Sequence, residues 1–454
     1  MAGNSFSHIP IDVERINTKY RRIKTKLPHP KSLPLFEKLY RLETRAMHGQ
    51  IPLVWDRAKD FQIFDKWGNI WIDFTSTIFV ANAGHANKRI INGLKKIIKK
   101  PLLHTYTYLS SERVEYLEYL INNTPTQFEK AFLLSAGTET TEVALKLMRM
   151  NGQSINKNKV GVLCFDGAYH GRTMGAQFMN GPSKDREWIG YEDPNIFHLR
   201  FPYPWDINDP EEFLENEINQ LLEKKDINPY ENLCGFMLET YQGWGAIFYP
   251  KKFVKAIYKF AKKYDLLITF DEMQAGFGRT GKLFGYQHYE IDPDILCCGK
   301  GASSGPPLSI VLGSSAVMDL PNIGSMSSTH SANPLSCVAG LENMKALIED
   351  GLIQKASELG EKFHDKLNVL RLKYPRHLRY VFGKGLVAAL VFMDEEKRPL
   401  TKLCDKISEL AFQRGLLVVH TGRESIKLAP PLSISEGALF EGIEVLDSCI
   451  GDSL

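Results

Sequence analysis

Two charged residues each close a short apolar segment of this 454-residue chain. Lys300 follows residues 295–298, and Asp271 follows residues 266–270. A lysine held in an apolar pocket can attack a carbonyl carbon and form a Schiff base. A buried aspartate needs a cationic partner, and the protonated ring nitrogen of pyridoxal phosphate is such a partner. The pair fits a pyridoxal phosphate site, with a solvated lysine and a salt-bridged aspartate as the ordinary alternatives.

A glycine–threonine pair follows another apolar segment, residues 132–135. Gly137 and Thr138 precede the helical pattern of residues 143–149, so free N–H groups, a hydroxyl and the positive end of a helix dipole meet there. This combination favours an anion such as a phosphate, and plain helix capping is the alternative. A second polar turn, around Thr329, is a further candidate for an anion.

An aromatic residue stands shortly after the apolar segment 160–165. Tyr169 can stack on a flat cofactor ring, and a surface position in a loop is the alternative. The adjacent His170 is either a structural partner or a catalyst. Met273 lies two positions beyond Asp271, so in an extended chain it points the same way and can pack against a ring face.

Short apolar segments alternate with helical patterns from about residue 100 to 320, which predicts a mostly parallel sheet covered by helices on both faces. In such a sheet, ligands bind beyond the carboxyl ends of the strands. The segment 61–74 alternates around Gly68 and predicts a β-hairpin, and the pattern after residue 346 predicts a smaller α+β domain. The predicted strands of the sheet are 132–135, 160–165, 236–239, 266–270, 295–298 and 308–312.

The composition narrows the class of protein. Hydrophobic residues make up 43% and charged residues 24%, as in ordinary globular proteins, and a net charge of +3 favours neither nucleic acid nor an anionic membrane as partner. The seven cysteines show no metal-ligand spacing, so no metal site is predicted. Apolar stretches are too short to span a membrane and no signal core is present, so we expect a cytoplasmic protein.

Several motifs in order resemble those of the class III aminotransferases, which are pyridoxal phosphate enzymes of fold type I. The similarity runs from about residue 55 to the end of the sequence. Residues 271–281 read DEMQAGFGRTG and are similar to the family's DEVQTGFGRTG. The other matching segments are SAGTE at 135–139, with Ala136 as an insertion or a substitution, AYHGRT at 168–173, NP at 333–334 and APPL at 429–432.

The resemblance implies cofactor contacts for the residues that follow the strands. These are Gly137 and Thr138 for the phosphate, Tyr169 and Met273 for the two ring faces, Asp271 for the ring nitrogen, Gln274 for the ring oxygen, Glu239 as the acid behind Gln274, and Lys300 for the Schiff base and the proton shuttle. Thr329 would reach the phosphate of a neighbouring subunit, because the family's active sites lie at a dimer interface.

The resemblance also implies an organisation and a set of partners. Residues 1–70 would form an N-terminal arm and part of the small domain, 71–345 the large cofactor-binding domain, and 346–454 the C-terminal α+β domain. The protein would be a homodimer or a dimer of dimers. It would transfer an amino group from an amine or ω-amino acid to an oxo acid, either pyruvate or 2-oxoglutarate.

Two departures from the family pattern bear on the substrate. Many members read QGEG where this chain reads QGWG with Trp244, and many have an arginine where Lys427 precedes the PPL segment. Lysine cannot grip a carboxylate with two parallel hydrogen bonds as arginine does, so we expect a different co-substrate preference in which Lys427 and Trp244 take part. An epimerase or aminomutase of the same family, and a non-catalytic binding homologue, are the alternatives.

Overall fold

The computed structural model describes residues 6–49, 51–181, 184 and 186–454. Its strands are β1 (Ile16–Asn17), β2 (Arg22–Ile23), β3 (Arg57–Lys59), β4 (Gln62–Phe64), β5 (Ile70–Asp73), β6 (Lys130–Leu134), β7 (Gly161–Phe165), β8 (Ile196–Leu199), β9 (Leu233–Glu239), β10 (Tyr241–Gln242), β11 (Ile247–Phe248), β12 (Leu267–Asp271), β13 (Ile295–Cys298), β14 (Ser309–Gly313), β15 (Leu378–Lys384), β16 (Val387–Phe392), β17 (Leu416–Leu417), β18 (Val419–His420) and β19 (Ser425–Leu428).

The helices flank these strands along the chain. They are α1 (Leu33–Leu42), α2 (Ser76–Phe79), α3 (Lys88–Lys99), α4 (Ser111–Asn122), α5 (Gly137–Ile155), α6 (Met174–Met179), α7 (Pro210–Lys225), α8 (Pro229–Asn232), α9 (Lys251–Tyr264), α10 (Ser315–Met318), α11 (Pro334–Ile348), α12 (Leu352–Lys373), α13 (Thr401–Gln413) and α14 (Glu436–Gly451). Across the described part of the chain, none of them combines the length and the apolar character that crossing a membrane requires.

A seven-stranded sheet in the order β6-β14-β13-β12-β9-β7-β8 forms the centre of the molecule. Its strands run parallel except β14, which is antiparallel to both of its neighbours. Alternate residues of β9 point to opposite faces: Met237 packs in the cluster that includes α5, whereas Phe236 packs in the cluster that includes α9. Helices therefore cover both faces, and the predicted α/β architecture is confirmed.

Segments from both ends of the chain share a second sheet. Its order is β1-β2-β5-β4-β3, and β17 joins it by pairing with β5 in parallel. The pairing of β4 with β5 is the predicted hairpin. In the C-terminal part, β15-β16-β19-β18 form an antiparallel sheet next to α12 and α13, and α14 packs against these two helices, in agreement with the predicted α+β pattern. The domain boundaries at residues 70 and 345 remain a prediction.

A left-handed turn, α2, is tied to the C-terminal part by a buried arginine. All four residues of Ser76–Phe79 have φ between 47° and 71°, a conformation that side chains with a Cβ adopt rarely. The Arg279 guanidinium is fully buried and donates to the Asn82 side chain at 2.7 Å, the Ser76 hydroxyl at 3.1 Å, the Leu386 carbonyl at 2.9 Å and the Pro430 carbonyl. This charge therefore joins three distant stretches of the chain.

Candidate active site

The carboxyl ends of β9, β12 and β13 open onto one cavity of about 330 Å³. The strand register brings Glu239 beside Asp271, so the acids that close neighbouring strands stand next to each other. Eight of the predicted cofactor residues line this cavity, namely Gly137, Thr138, Tyr169, Glu239, Asp271, Met273, Gln274 and Lys300. The rule that ligands sit beyond strand ends therefore located the pocket from the sequence.

Lys300 begins a tight 3-10 turn immediately after β13, with a φ of 43°. Burial lowers the pKa of the Lys300 amine, and the carboxylates of Asp271 and Glu239 oppose this shift. A lowered pKa increases the neutral fraction of the amine, which is the form that attacks a carbonyl carbon. The position is thus suited to covalent chemistry.

Asp271 presents a buried carboxylate that is held by two donors. Its Oδ2 is 2.9 Å from Nδ1 of His170, and its Oδ1 accepts from the backbone N–H of Met273 at 3.0 Å. Among the described residues, His170 is its one ion-pair partner within 4 Å. Because no lysine or arginine neutralises this carboxylate directly, the cavity offers a place for a cationic ring nitrogen, and Asp271 fits pyridoxal phosphate.

His170 contacts Asp271, and the sequence left open whether it is a structural partner or a catalyst. Its Nε2 is buried and has no hydrogen-bond partner within the described structure. The backbone around it is fixed, since the His170 N–H donates to Asn180 and its carbonyl accepts from Thr141. The AYHGRT motif carried the available signal, but its pairing with Asp271 spans 101 positions and cannot be read from local spacing.

The start of α5 forms the wall of the cavity that was predicted to take an anion. Glu139 accepts the N–H groups of Ser135 and Ala136, both at 2.8 Å, and so completes half of a capping box. Gly137 and Thr138 form the first turn of α5, where backbone N–H groups have no partner within the helix. Both residues line the cavity. A Cβ at Gly137 would stand 2.6 Å from Sδ of Met273, so a larger residue there would require the Met273 side chain to move.

Glu239 and Gln274 line the cavity and form a polar cluster with Lys427, which lies outside the lining. Lys427 Nζ donates to the Gly243 carbonyl at 2.6 Å and to Gln274 Oε1 at 2.9 Å. Burial raises the pKa of Glu239 to about 7 and lowers the pKa of Lys427 to about 7. Lys427 is 6% exposed and does not line the cavity, so in this structure it faces Gln274 rather than the space for a substrate.

The remaining predicted residues, Trp244 and Thr329, lie outside the cavity lining. The Trp244 indole donates to Gln242 Oε1 at 2.6 Å, and the Arg423 guanidinium lies 4.0 Å from the ring centroid, so these two residues hold the ring in place. Thr329 is exposed, and its carbonyl is 2.7 Å from Nε2 of His104.

Comparison with known proteins identifies the family of this chain. The family model of the class III aminotransferases matches residues 44–450. The mitochondrial ornithine aminotransferase of Oryza sativa is 30% identical over 92% of this chain and 86% of its own length. The alanine/serine racemase of Pyrococcus horikoshii is 29% identical over 99% of this chain and 96% of its own.

Solved structures share the fold. An (S)-enantioselective ω-transaminase from Thermomicrobium roseum superposes with a TM-score of 0.84 at 26% identity, covering 94% of this chain and 99% of that one. The ornithine aminotransferase of Toxoplasma gondii gives a TM-score of 0.81 at 23% identity, over 94% and 96%. The fold and the cavity define a fold type I enzyme that uses pyridoxal phosphate. The chain belongs to the class III aminotransferases.

Proposed function

We propose that this enzyme transfers an amino group from an amine or an ω-amino acid to an oxo acid, with Lys300 as the residue that binds the cofactor covalently. The observation that carries this assignment is the meeting of Lys300 and Asp271 in one cavity, each placed at the end of a buried strand. An amine and a carboxylate in this arrangement are what amino transfer needs from the protein.

Pyridoxal phosphate, when bound, supplies an aldehyde for Schiff-base formation and a ring that accepts electron density from the substrate. Asp271 would hold the ring nitrogen protonated, and Gly137 and Thr138 would hold the phosphate at the start of α5. Tyr169 and Met273 would cover the two faces of the ring, since both line the cavity. Glu239 and Gln274 would lie on the side of the ring oxygen.

Lys300 would move the proton that leaves the substrate Cα. Once a substrate amine has displaced it, its amine remains buried and its pKa is lowered, so it can take the proton from the substrate Cα. His170 would hold the Asp271 carboxylate in its orientation through the 2.9 Å contact. These residues would therefore bind the cofactor, orient it and move the proton.

The cavity wall offers one further cation for a substrate carboxylate. Arg172 lines the cavity, is exposed, and lies 5.7 Å from the centroid of the Tyr169 ring. Pyruvate carries a single carboxylate and 2-oxoglutarate carries two, and Lys427 is already bound to Gln274. Pyruvate is therefore the acceptor that needs fewer cations from the cavity, with 2-oxoglutarate as the alternative.

An exposed apolar surface supports a homodimer or a dimer of dimers. Leu103, Tyr108 and Leu109 are 58%, 78% and 81% exposed, and they lie in the segment that contacts the Thr329 loop through His104. Contiguous exposed apolar residues mark protein interfaces. In such a dimer Thr329 would face the partner's cofactor phosphate.

We further propose the domain division at residues 70 and 345. We also propose a cytoplasmic location, since all seven cysteines are free.

Racemisation is the second candidate, and the similarity to the alanine/serine racemase over 99% of this chain favours it. Removal of a proton from Cα begins both reactions. They differ afterwards, because a racemase returns the proton to Cα and releases no oxo product. Residues that bind the cofactor therefore do not distinguish the two activities.

A half-reaction titration separates these candidates. The purified protein is loaded with cofactor and mixed with single amines, ω-amino acids, alanine or serine, while the cofactor absorbance and the oxo product are measured together. Loss of the cofactor band with one equivalent of oxo product supports amino transfer. Inversion of alanine or serine in deuterated water, without oxo product, supports racemisation. Lys300→Ala is the control and should show neither reaction.

A further inference from the structure

Lys427 is fixed to the C-terminal sheet but acts on the wall of the cavity. It lies on β19, where it pairs with Ala389 on β16 and with Val419 on β18. Its side chain leaves that sheet, and Nζ lies 4.7 Å from the centroid of the Phe79 ring. The amine ends between two acceptors that belong to other segments, the Gly243 carbonyl and the Gln274 side chain.

We propose that Lys427 is a positioning residue that sets the orientation of the Gln274 carboxamide, and that it is not the ligand of a substrate carboxylate. An amine, whether charged or neutral, has at least two N–H groups, and both acceptors at Lys427 are oxygens. The oxygen of Gln274 is therefore held toward Lys427. Its NH₂ group must face the opposite side. This inference rests on the proposed function, because Gln274 matters only if the cavity binds the cofactor.

The surroundings of Gly243 locate the NH₂ end of Gln274. A Cβ built at Gly243 would stand 2.5 Å from Gln274 Nε2 and 2.7 Å from Glu239 Oε1. The Gly243 N–H in turn donates to Glu239 Oε2 at 3.2 Å. The donor end of the carboxamide thus lies on the side of Glu239, in the wall that both residues form. Without Lys427 the carboxamide would be free to turn its oxygen toward the cavity.

Reaching a substrate would require Lys427 to give up both contacts. Two oxygens, those of Gly243 and Gln274, would then be left without this donor, and unsatisfied buried acceptors are costly. An arginine spreads five N–H groups over a planar fork and could bind a carboxylate while keeping another contact, whereas the N–H groups of a lysine all project from one nitrogen, so Lys427 would have to move Nζ away from its acceptors to reach a substrate. Burial and the nearby Lys300 amine also lower the pKa of Lys427 to about 7, which weakens it as a cation.

The test compares cofactor binding with substrate preference in the full-length holoenzyme. For Lys427→Met we expect about tenfold weaker binding of pyridoxal phosphate, as for the loss of one buried hydrogen bond, and a changed pH titration of the bound cofactor's absorbance. The ratio of kcat/KM for pyruvate to that for 2-oxoglutarate should change less than about twofold. Lys427→Arg keeps the N–H donors and should recover most of the affinity.

A double-mutant cycle excludes a general structural effect. Gln274→Met should weaken cofactor binding, and adding Lys427→Met to it should cost nothing more, because the two residues act through one contact. Additive losses would overturn the inference. So would a KM that rises for 2-oxoglutarate alone while cofactor affinity stays at the parent value. Should Lys427→Met fail to fold, Lys427→Gln, whose side chain is one bond shorter, takes its place in the cycle.

Lys402→Met is the matched control, since Lys402 is an exposed lysine on α13, and it should match the parent in every measurement. Cofactor titration requires no turnover, so it tests this inference even if the parent proves to transfer no amino group. The proposed function and the role of Lys427 therefore fail separately.

Discussion

Replacement of Glu239 by glutamine should change how stability depends on pH. Burial raises the pKa of Glu239 from 4.5 to about 7, with Asp271 contributing in the same direction. Below pH 4.5 the carboxyl is protonated in both the folded and the unfolded chain. As the pH rises toward 7, the unfolded chain loses this proton while the folded chain keeps it, so the folded state becomes relatively less stable.

The size of the effect follows from the shift. A pKa raised from 4.5 to about 7 corresponds to roughly 3 kcal/mol, reached in full above pH 7. Glu239→Gln carries no such proton. The variant should therefore gain stability relative to the parent by up to about 3 kcal/mol between pH 4.5 and 7, and the difference should be constant above that range. Lys427 acts on stability above pH 7, outside this window.

Urea unfolding of the cofactor-free protein at several values between pH 5 and 8 measures this difference. Glu444→Gln, at an exposed position on α14, is the control and should follow the parent throughout. A difference between Glu239→Gln and the parent that is the same at pH 5 and pH 8 would refute the reasoning, because it would mean that Glu239 keeps an ordinary pKa in the fold.

Four further outcomes are expected. Lys300→Ala should lower kcat for amino transfer by about 10³-fold or more with an unchanged circular dichroism spectrum. Arg279→Met should lower the free energy of unfolding in urea by at least about 3 kcal/mol, because four buried acceptors lose their donor. Gly243→Ala should weaken cofactor binding in a fluorescence titration by about tenfold, since its Cβ would meet Gln274. Tyr108→Glu should shift sedimentation toward monomer, as a charge opposes burial of this exposed ring.

The central sheet was predictable because its strands are buried on both faces and therefore read as continuous apolar runs. β13 was predicted with its observed ends, 295–298. β8 was missed, since it is an edge strand, mostly half-buried, and contains His198. The reversed direction of β14 was also outside the reach of sequence, because an apolar run has the same appearance in either direction.

The cavity residues that the sequence singled out were predictable for a related reason: they lie at the end of a buried strand or within a few positions of it, and the sheet brings those ends together. The directions of the side chains were not predictable. Trp244 lies outside the cavity lining and donates to the Gln242 side chain two positions away, and the QGWG pattern gave no sign of this contact. The polar cluster of Lys427 and Gln274 joins positions 153 apart, so only the folded chain reveals it.

The buried guanidinium of Arg279 constrains when the active site can form during protein synthesis. Its acceptors come from Ser76 and Asn82, made long before it, and from Leu386 and Pro430, made long after it. Until residue 430 has left the ribosome, this charge has only part of its hydrogen-bond partners, and burying it would be unfavourable. The loop that begins at Asp271 should therefore lack a fixed conformation on the nascent chain. Cofactor binding then becomes one of the last steps in the maturation of the enzyme.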